Sequence, residues 1–224
     1  MTGDSKFLTI AVLGGTGKEG SGLALRWAQN GYRVLIGSRE AERAVAKADE
    51  LNGVLGATLV QGMSNEEAAA QADIVVLSVP YSAHRAILET VKEKVQGKIL
   101  VDVTVPLQPP DVRTVHVPPG KAASLEAQAL LGDGVKVVAA FQNVGAAHLK
   151  DLEHSVNCDV LVCADDAEAK AHVMQLVEAI PGTRAIDAGP LANAVAVEAL
   201  TPVLLYINKR YKVPGAGIRI TGLE

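Results

Sequence analysis

Four short, nearly continuous apolar runs stand out along the chain, at Phe7–Leu13, Ile74–Val79, Ile99–Val103 and Val135–Phe141. They are rich in Val, Ile and Leu and do not alternate with polar residues, which suits strands buried on both faces of a parallel sheet. Arg33–Ile36 and Ala57–Val60 read as further, shorter strands. Between them lie helix-length stretches of good helix formers, Glu19–Asn30, Arg39–Asn52, Ser64–Gln71 and Ala83–Val95. This alternation predicts an α/β fold built on a doubly wound parallel sheet with right-handed crossovers. The punctuation agrees: Asn30-Gly31 closes the first helix, Gly37 or Ser38 can cap the second, and Ser64 with Glu67 spells a capping box.

From Pro106 to Gly120 the chain carries five prolines and a terminal glycine, so it can be neither a regular helix nor a central strand. This loop follows the Ile99–Val103 strand. It is either a surface excursion or, because ligands of open α/β sheets bind beyond the strand ends, part of a site. After Phe141 the pattern changes to a strand at Val160–Cys163, a helix at Ala167–Ala179, a strand at Arg184–Ile186 and a long helix from Leu191 to Tyr211, with Pro202 expected to kink it. The expected division is therefore a dinucleotide-type domain over residues 1–142 and a small C-terminal α/β extension over 143–224. The latter is too short to stand alone, so it packs on the first or on another subunit.

Composition narrows the function. With 49% hydrophobic residues the chain can bury a core; 21 Lys and Arg against 25 Asp and Glu leave a net charge of −4, with no basic stripe for nucleic acid. Aromatic residues at 3% offer little for base stacking or membrane belts. The first apolar run is too short to span a bilayer, and the N-terminus lacks the marks of a signal peptide, so a soluble, cytoplasmic protein is expected. Cys158 and Cys163 fall in one expected strand, about 16 Å apart by strand rise, too far to bridge. The five histidines show no metal-ligand spacing, and no metal site is expected.

The chemistry concentrates after the first strand, where Gly15, Thr16, Gly17 and Gly20 spell G-x-G-x-x-G and a helix follows. This spacing serves a tight turn, close approach of backbone to a pyrophosphate, and close packing of helix on strand, with the anion resting at the helix N-terminus. It is the fingerprint of a Rossmann dinucleotide site. At the end of the second strand stands Gly37-Ser38-Arg39 rather than an acidic residue. The Ser38 hydroxyl and Arg39 guanidinium suit a 2′-phosphate, and Arg43, four residues on, is placed to reach it, so NADP(H) is expected over NAD(H). Val79-Pro80 ends the third strand, either bordering a cofactor cleft or simply terminating the strand. Neither Y-x-x-x-K nor G-x-S-x-G occurs and no catalytic residue is singled out. Tyr81, His84 and Gln142 are the side chains to test for a general acid. A reaction without an obvious proton shuttle fits direct hydride transfer between two bound cofactors.

The sequence also resembles the NADPH-dependent reductases of the deazaflavin coenzyme F420. The matching words are I-A-V-L-G-G-T-G at Ile10–Gly17, G-S-R at Gly37–Arg39, D-A-G-P-L at Asp187–Leu191, E-A-L-T-P at Glu198–Pro202 and the tail Asn208–Gly222. The resemblance implies NADP contacts at Thr16, Ser38, Arg39 and Arg43, with Val79 and Pro80 near the cofactor's far end. It further implies ring contacts around Val103–Leu107 and Ala140–Gly145: Ala140, Gln142 and Val144 on the nicotinamide side, Val105, Pro106, Asn143 and Gly145 on the side of the second substrate, F420. The chain departs from the family at Gln142, where some relatives carry His, and at Gly145, where the archaeal type has Pro. Lys209, Arg210 and Lys212 could meet the acidic F420 tail or simply suit a helix C-terminus. Another small NADP-dependent reductase, of a carbonyl, imine or pterin-like substrate, and a non-catalytic NADP-sensing module are the alternatives. The long final helix is apolar on more than one face, which points to a homodimer.

Overall fold

A computed structural model describes residues 8–223. Phe7, the first residue of the first expected strand, lies outside the described residues. The elements follow in the order β1 (Thr9–Leu13), α1 (Lys18–Gln29), β2 (Arg33–Ser38), α2 (Ala41–Leu55), β3 (Val60–Ser64), α3 (Asn65–Gln71), β4 (Ile74–Leu77), α4 (Tyr81–Val91) and β5 (Ile99–Asp102). Then come α5 (Ala123–Leu131), β6 (Lys136–Ala139), α6 (Ala146–Leu149), β7 (Cys158–Ala164), α7 (Ala167–Glu178), β8 (Thr183–Asp187), a 3-10 turn at Leu191–Asn193 and α8 (Ala194–Tyr211).

The eight strands form a sheet in the order β3-β2-β1-β4-β5-β6-β7-β8. The first six are parallel, and the order reverses between β1 and β4, which is the doubly wound Rossmann arrangement. The sheet continues past residue 142: β7 joins β6 antiparallel and β8 runs parallel to β7. Two apolar clusters fill its faces. One joins Leu23 and Trp27 of α1, Leu51 of α2 and Leu176 of α7. The other joins Ala68 of α3, Leu88 of α4, Ala127 of α5 and Val197 of α8.

Local chemistry explains most boundaries. Ser64 and Glu67 form the expected capping box, each bonding the other's backbone N–H. β3 begins at Val60 rather than ending there, because Asn52 takes the Leu59 and Val60 amides and fixes the turn before it. α2 begins at Ala41, so Arg39 precedes the helix instead of opening it as the span Arg39–Asn52 had it. α5 is an element the apolar pattern missed. Cys158 and Cys163 are both buried in β7 and unbonded to each other. The stretch Leu191–Tyr211 is long and apolar enough to cross a membrane. In this structure α8 buries Glu198 against the first turn of α5 and continues through Pro202.

Candidate functional site

The loop between β1 and α1 is shaped by backbone contacts. Gly14 has φ +72°, and a Cβ there would lie 2.5 Å from the Ser78 carbonyl oxygen, so the sharp turn falls on Gly14, one residue before the fingerprint's first glycine. Gly15 donates to the carbonyls of Val12 and Gly37. Gly20 is held close to Gly15 and Ser78, whereas a Cβ on the exposed Gly17 would touch only the Gly14 carbonyl at 3.4 Å. The protein's own packing thus leaves the outer face of Gly17 open. Gly17 is also the N-cap of α1 and no side chain caps that helix, so its first-turn amides remain free for an anion. Thr16 is half-buried in the same turn. Asn65 locks the loop from α3, its Oδ1 accepting the Gly14 amide at 3.3 Å.

Glu19, in the first turn of α1, lines the cleft; burial pushes its carboxyl up to about 8, and its enclosed Oε1 has no hydrogen-bond partner. A protonated carboxyl at this place adds no negative charge beside a pyrophosphate and has an O–H to donate.

At the end of β2, Ser38 is buried and its Oγ accepts the Glu40 amide at 3.2 Å. Arg39 is exposed and makes no ion pair among the described residues. Arg43 lies 3.6 Å from Glu40, with both side chains largely in solvent, a pair worth little and easily given up for a phosphate. The basic pair therefore remains available beside the Ser38 hydroxyl.

From the glycine loop a cleft of about 640 Å³ runs across the C-terminal ends of β4, β5 and β6. Val79 and Pro80 form one wall, Pro80 serving as the N-cap of α4. Val105, Gln142, Val144 and Gly145 also line it, as do Thr104, Leu107 and Phe141. Thr201, Leu205 and Asn208 of α8 close the far side. Three residues named from the resemblance stand behind this surface. Ala140 is fully buried, Pro106 is buried beside the loop, and Asn143 turns toward β7, where its Nδ2 donates to the Asp159 carbonyl at 2.6 Å.

The floor is set by strain and by buried polar bonds. Phe141 has φ +74°, a left-handed conformation that costs a non-glycine residue about 1–2 kcal/mol. Its ring is held edge-on to Trp27 at 5.6 Å, and the Trp27 indole N–H donates to the Leu176 carbonyl. That backbone turn brings Gln142 round to face the cleft, where its Nε2 donates to the Asp102 carbonyl and its own carbonyl accepts the Thr201 hydroxyl, both at 2.7 Å. Gln142 Oε1 and Thr104 Oγ1 are buried without partners. The Arg26 guanidinium, buried in α1, organises the segment after Gly145 by donating to the carbonyls of His148, Leu149, Asp151 and His154. The basic trio Lys209, Arg210 and Lys212 is exposed at the end of α8 and outside the cleft lining, while Pro214 beyond them reaches it. Asn65, Thr201 and Arg26 went unread in the sequence; each acts through a contact distant along the chain. No cluster of metal ligands occurs among the described residues.

A family model described as NADP oxidoreductase, coenzyme F420-dependent, matches residues 9–106. A protein of Methanothermobacter marburgensis named F420-dependent NADP reductase is 43% identical over 96% of this chain and 99% of its own length. One of the same name from Methanocaldococcus jannaschii is 43% identical over 97% of this chain and 100% of its own. Among solved structures, a candidate F420-dependent NADP reductase from Arthrobacter sp. FB24 superposes with TM-score 0.80 at 28% identity, covering 96% of this chain and 99% of that one. A pyrroline-5-carboxylate reductase from Coxiella burnetii, at 15% identity and TM-score 0.60, shares the fold over 92% of this chain and 68% of its own.

Proposed function

This chain belongs to the coenzyme F420-dependent NADP oxidoreductase family, and from that premise we infer that it is an oxidoreductase that passes a hydride between NADP(H) and coenzyme F420. The observation that carries the reading onto this molecule is the continuity of the cleft, which runs from the uncapped N-terminus of α1 to an apolar chamber under α8.

The residues present fit both groups. The free amides of α1 and the open face of Gly17 accept a pyrophosphate, and Ser38, Arg39 and Arg43 accept a 2′-phosphate. Val79 and Pro80 support the cofactor toward its nicotinamide end. The walls Val105, Leu107, Phe141, Val144 and Leu205 offer flat rings an apolar, water-poor setting. At its floor, Thr104 Oγ1 and Gln142 Oε1 are buried without partners. Bound together, the nicotinamide and the deazaflavin would supply the chemistry, a hydride exchanged between nicotinamide C4 and deazaflavin C5. The protein's task is to bind, align and exclude water, which accounts for a site without a dedicated catalytic side chain.

The division of labour follows the two parts of the chain. Residues 1–142 hold the dinucleotide, and residues 143–224 complete the second ring's chamber through Val144, Gly145, Thr201, Leu205 and Asn208. Two further elements of the reading rest on surface and composition. Val203, Tyr206 and Tyr211 leave α8 apolar where it meets solvent, which supports a homodimer. Two free buried thiols suit a reducing, cytoplasmic setting. The hydride assignment is tested with NADPH carrying deuterium at C4: the label should appear at deazaflavin C5, and reduced deazaflavin formed without label from either C4 face would overturn direct transfer.

A further inference from the structure

His84 is buried in α4 and lines a second cavity, of about 650 Å³, together with Tyr81, Arg85, Leu88, Pro119 and Glu126. Its Nε2 lies 2.7 Å from Oδ2 of Asp102, which is wholly buried at the end of β5. The other oxygen of that carboxylate accepts the Thr104 amide at 3.0 Å, and the Asp102 carbonyl accepts the Gln142 side chain at 2.7 Å. One short polar chain thus begins at the second cavity and ends at two residues of the cleft lining, Thr104 and Gln142, whose Oγ1 and Oε1 are buried without partners.

We propose that His84 is a positioning residue for the hydride transfer: it holds the Asp102 carboxylate in place, and through Asp102 it fixes Thr104 and Gln142 against the reacting rings. The proposal rests on the reading of the cleft given above. The electrostatics suit a lasting anchor. Burial opposes a charged imidazole, but Asp102 on β5, Glu126 on α5 and Glu198 on α8 face it and together hold its pKa above the ordinary histidine value. On its own helix it stacks against Tyr81, whose hydroxyl is committed to Glu126, and its neighbour Arg85 pairs with Glu89 in solvent. An imidazolium bonded to a buried carboxylate is a stronger and more directional tie than a neutral side chain would make. Because burial pushes Glu198 up to about 7, a pH profile of the wild type alone would mix two groups. Substitutions separate them.

The test uses the full chain, with NADPH and oxidised F420 in single-turnover measurements and NADPH affinity measured separately. His84→Leu removes the donor and should slow transfer about 10-fold or more while leaving NADPH affinity within about twofold, the signature of lost alignment rather than lost binding. His84→Gln, whose amide nitrogen can take the place of Nε2, should restore the rate to within about threefold, and His84→Asn, too short to reach Asp102, should not. A readout independent of turnover is the imidazole titration in the ligand-free protein, expected above 6.5 and lowered by Asp102→Asn. Equal transfer rates for the Gln and Asn variants, or an imidazole titrating below 6.5, would overturn the proposal, and these hold even where the Leu variant fails to fold. Wild-type protein that transfers no hydride would overturn the function itself, and the proposal with it.

Discussion

Replacing Arg26 by Met keeps much of the side chain's volume and removes its guanidinium. In the native protein Nε donates to the Leu149 carbonyl at 2.9 Å, and Nη2 donates to the carbonyls of His148 and His154 at 2.8 Å and to that of Asp151. The bond to Leu149 is buried and the others are partly so. Each charged hydrogen bond contributes about 1.5–3 kcal/mol, offset by the cost of enclosing a guanidinium, whose pKa burial lowers. Water can reach some of the freed carbonyls, so the net loss should be about 2–4 kcal/mol, the cost of leaving one or two enclosed carbonyls unsatisfied. Urea unfolding followed by fluorescence would measure it, since the single tryptophan, Trp27, packs on Phe141 beside the cleft. The segment that Arg26 holds begins at Gly145–Ala147, so the apparent affinity for the deazaflavin should fall more than that for NADPH. A loss below about 1 kcal/mol, or equal weakening of both substrates, would refute the claim that this arginine organises the chamber wall.

Arg39→Ala should weaken NADPH far more than NADH, by the ~1.5–3 kcal/mol of a charge-assisted phosphate contact. Parallel loss of both coenzymes in a titration would remove Arg39 from the phosphate site. Gly17→Val should leave thermal stability nearly unchanged, because its Cβ meets only one carbonyl, yet lower NADPH affinity about 100-fold or more; retained affinity would rule out close backbone approach there. Glu19 gives a pH signature. Its carboxyl titrates at about 8 in the fold against 4.5 when solvated, so the folded state binds the extra proton, and stability is lost as pH rises from about 4.5 through about 8. Glu19→Gln should therefore match the wild type near pH 4 and be more stable near pH 9, with NADPH binding that no longer weakens over that range. A stability difference independent of pH would show that the carboxyl is solvated.

Much of the frame could be read from local patterns. The runs around Ala11, Val76, Val101 and Val138 are buried on both faces and so carry no alternation, a signature only a covered parallel sheet requires. The glycine fingerprint and the Ser64–Glu67 box are equally local. What escaped the reading depends on distant partners. α5 spells A-S-L-E-A-Q-A-L-L with little one-sidedness, and its first turn is held by the carboxylate of Glu198, which takes the Ala123 amide at 2.7 Å and the Ser124 amide at 3.0 Å. The left-handed Phe141 is tolerated because Trp27 secures its ring, and no sequence window contains both. The same holds for the site. The residues proposed for the phosphates fall in two short stretches, Gly15–Gly20 and Ser38–Arg43, each of which is a local pattern. The chamber, by contrast, is assembled from the ends of β5 and β6 and from α8; of the seven residues the resemblance named there, Val105, Gln142, Val144 and Gly145 line the cleft and Ala140, Pro106 and Asn143 stand behind it. Gln142 lines the cleft and bonds to the Asp102 carbonyl, while its neighbour Asn143 turns to the Asp159 carbonyl of β7.

The most direct test of the whole account is an anaerobic mixture of the purified protein, NADPH and oxidised F420, following loss of the deazaflavin absorption band, with NADH as the parallel control. Rapid bleaching with NADPH and slow bleaching with NADH is the expected result. NADPH bound tightly with no bleaching would contradict it, leaving the dinucleotide half of the cleft intact and removing F420 as the second substrate.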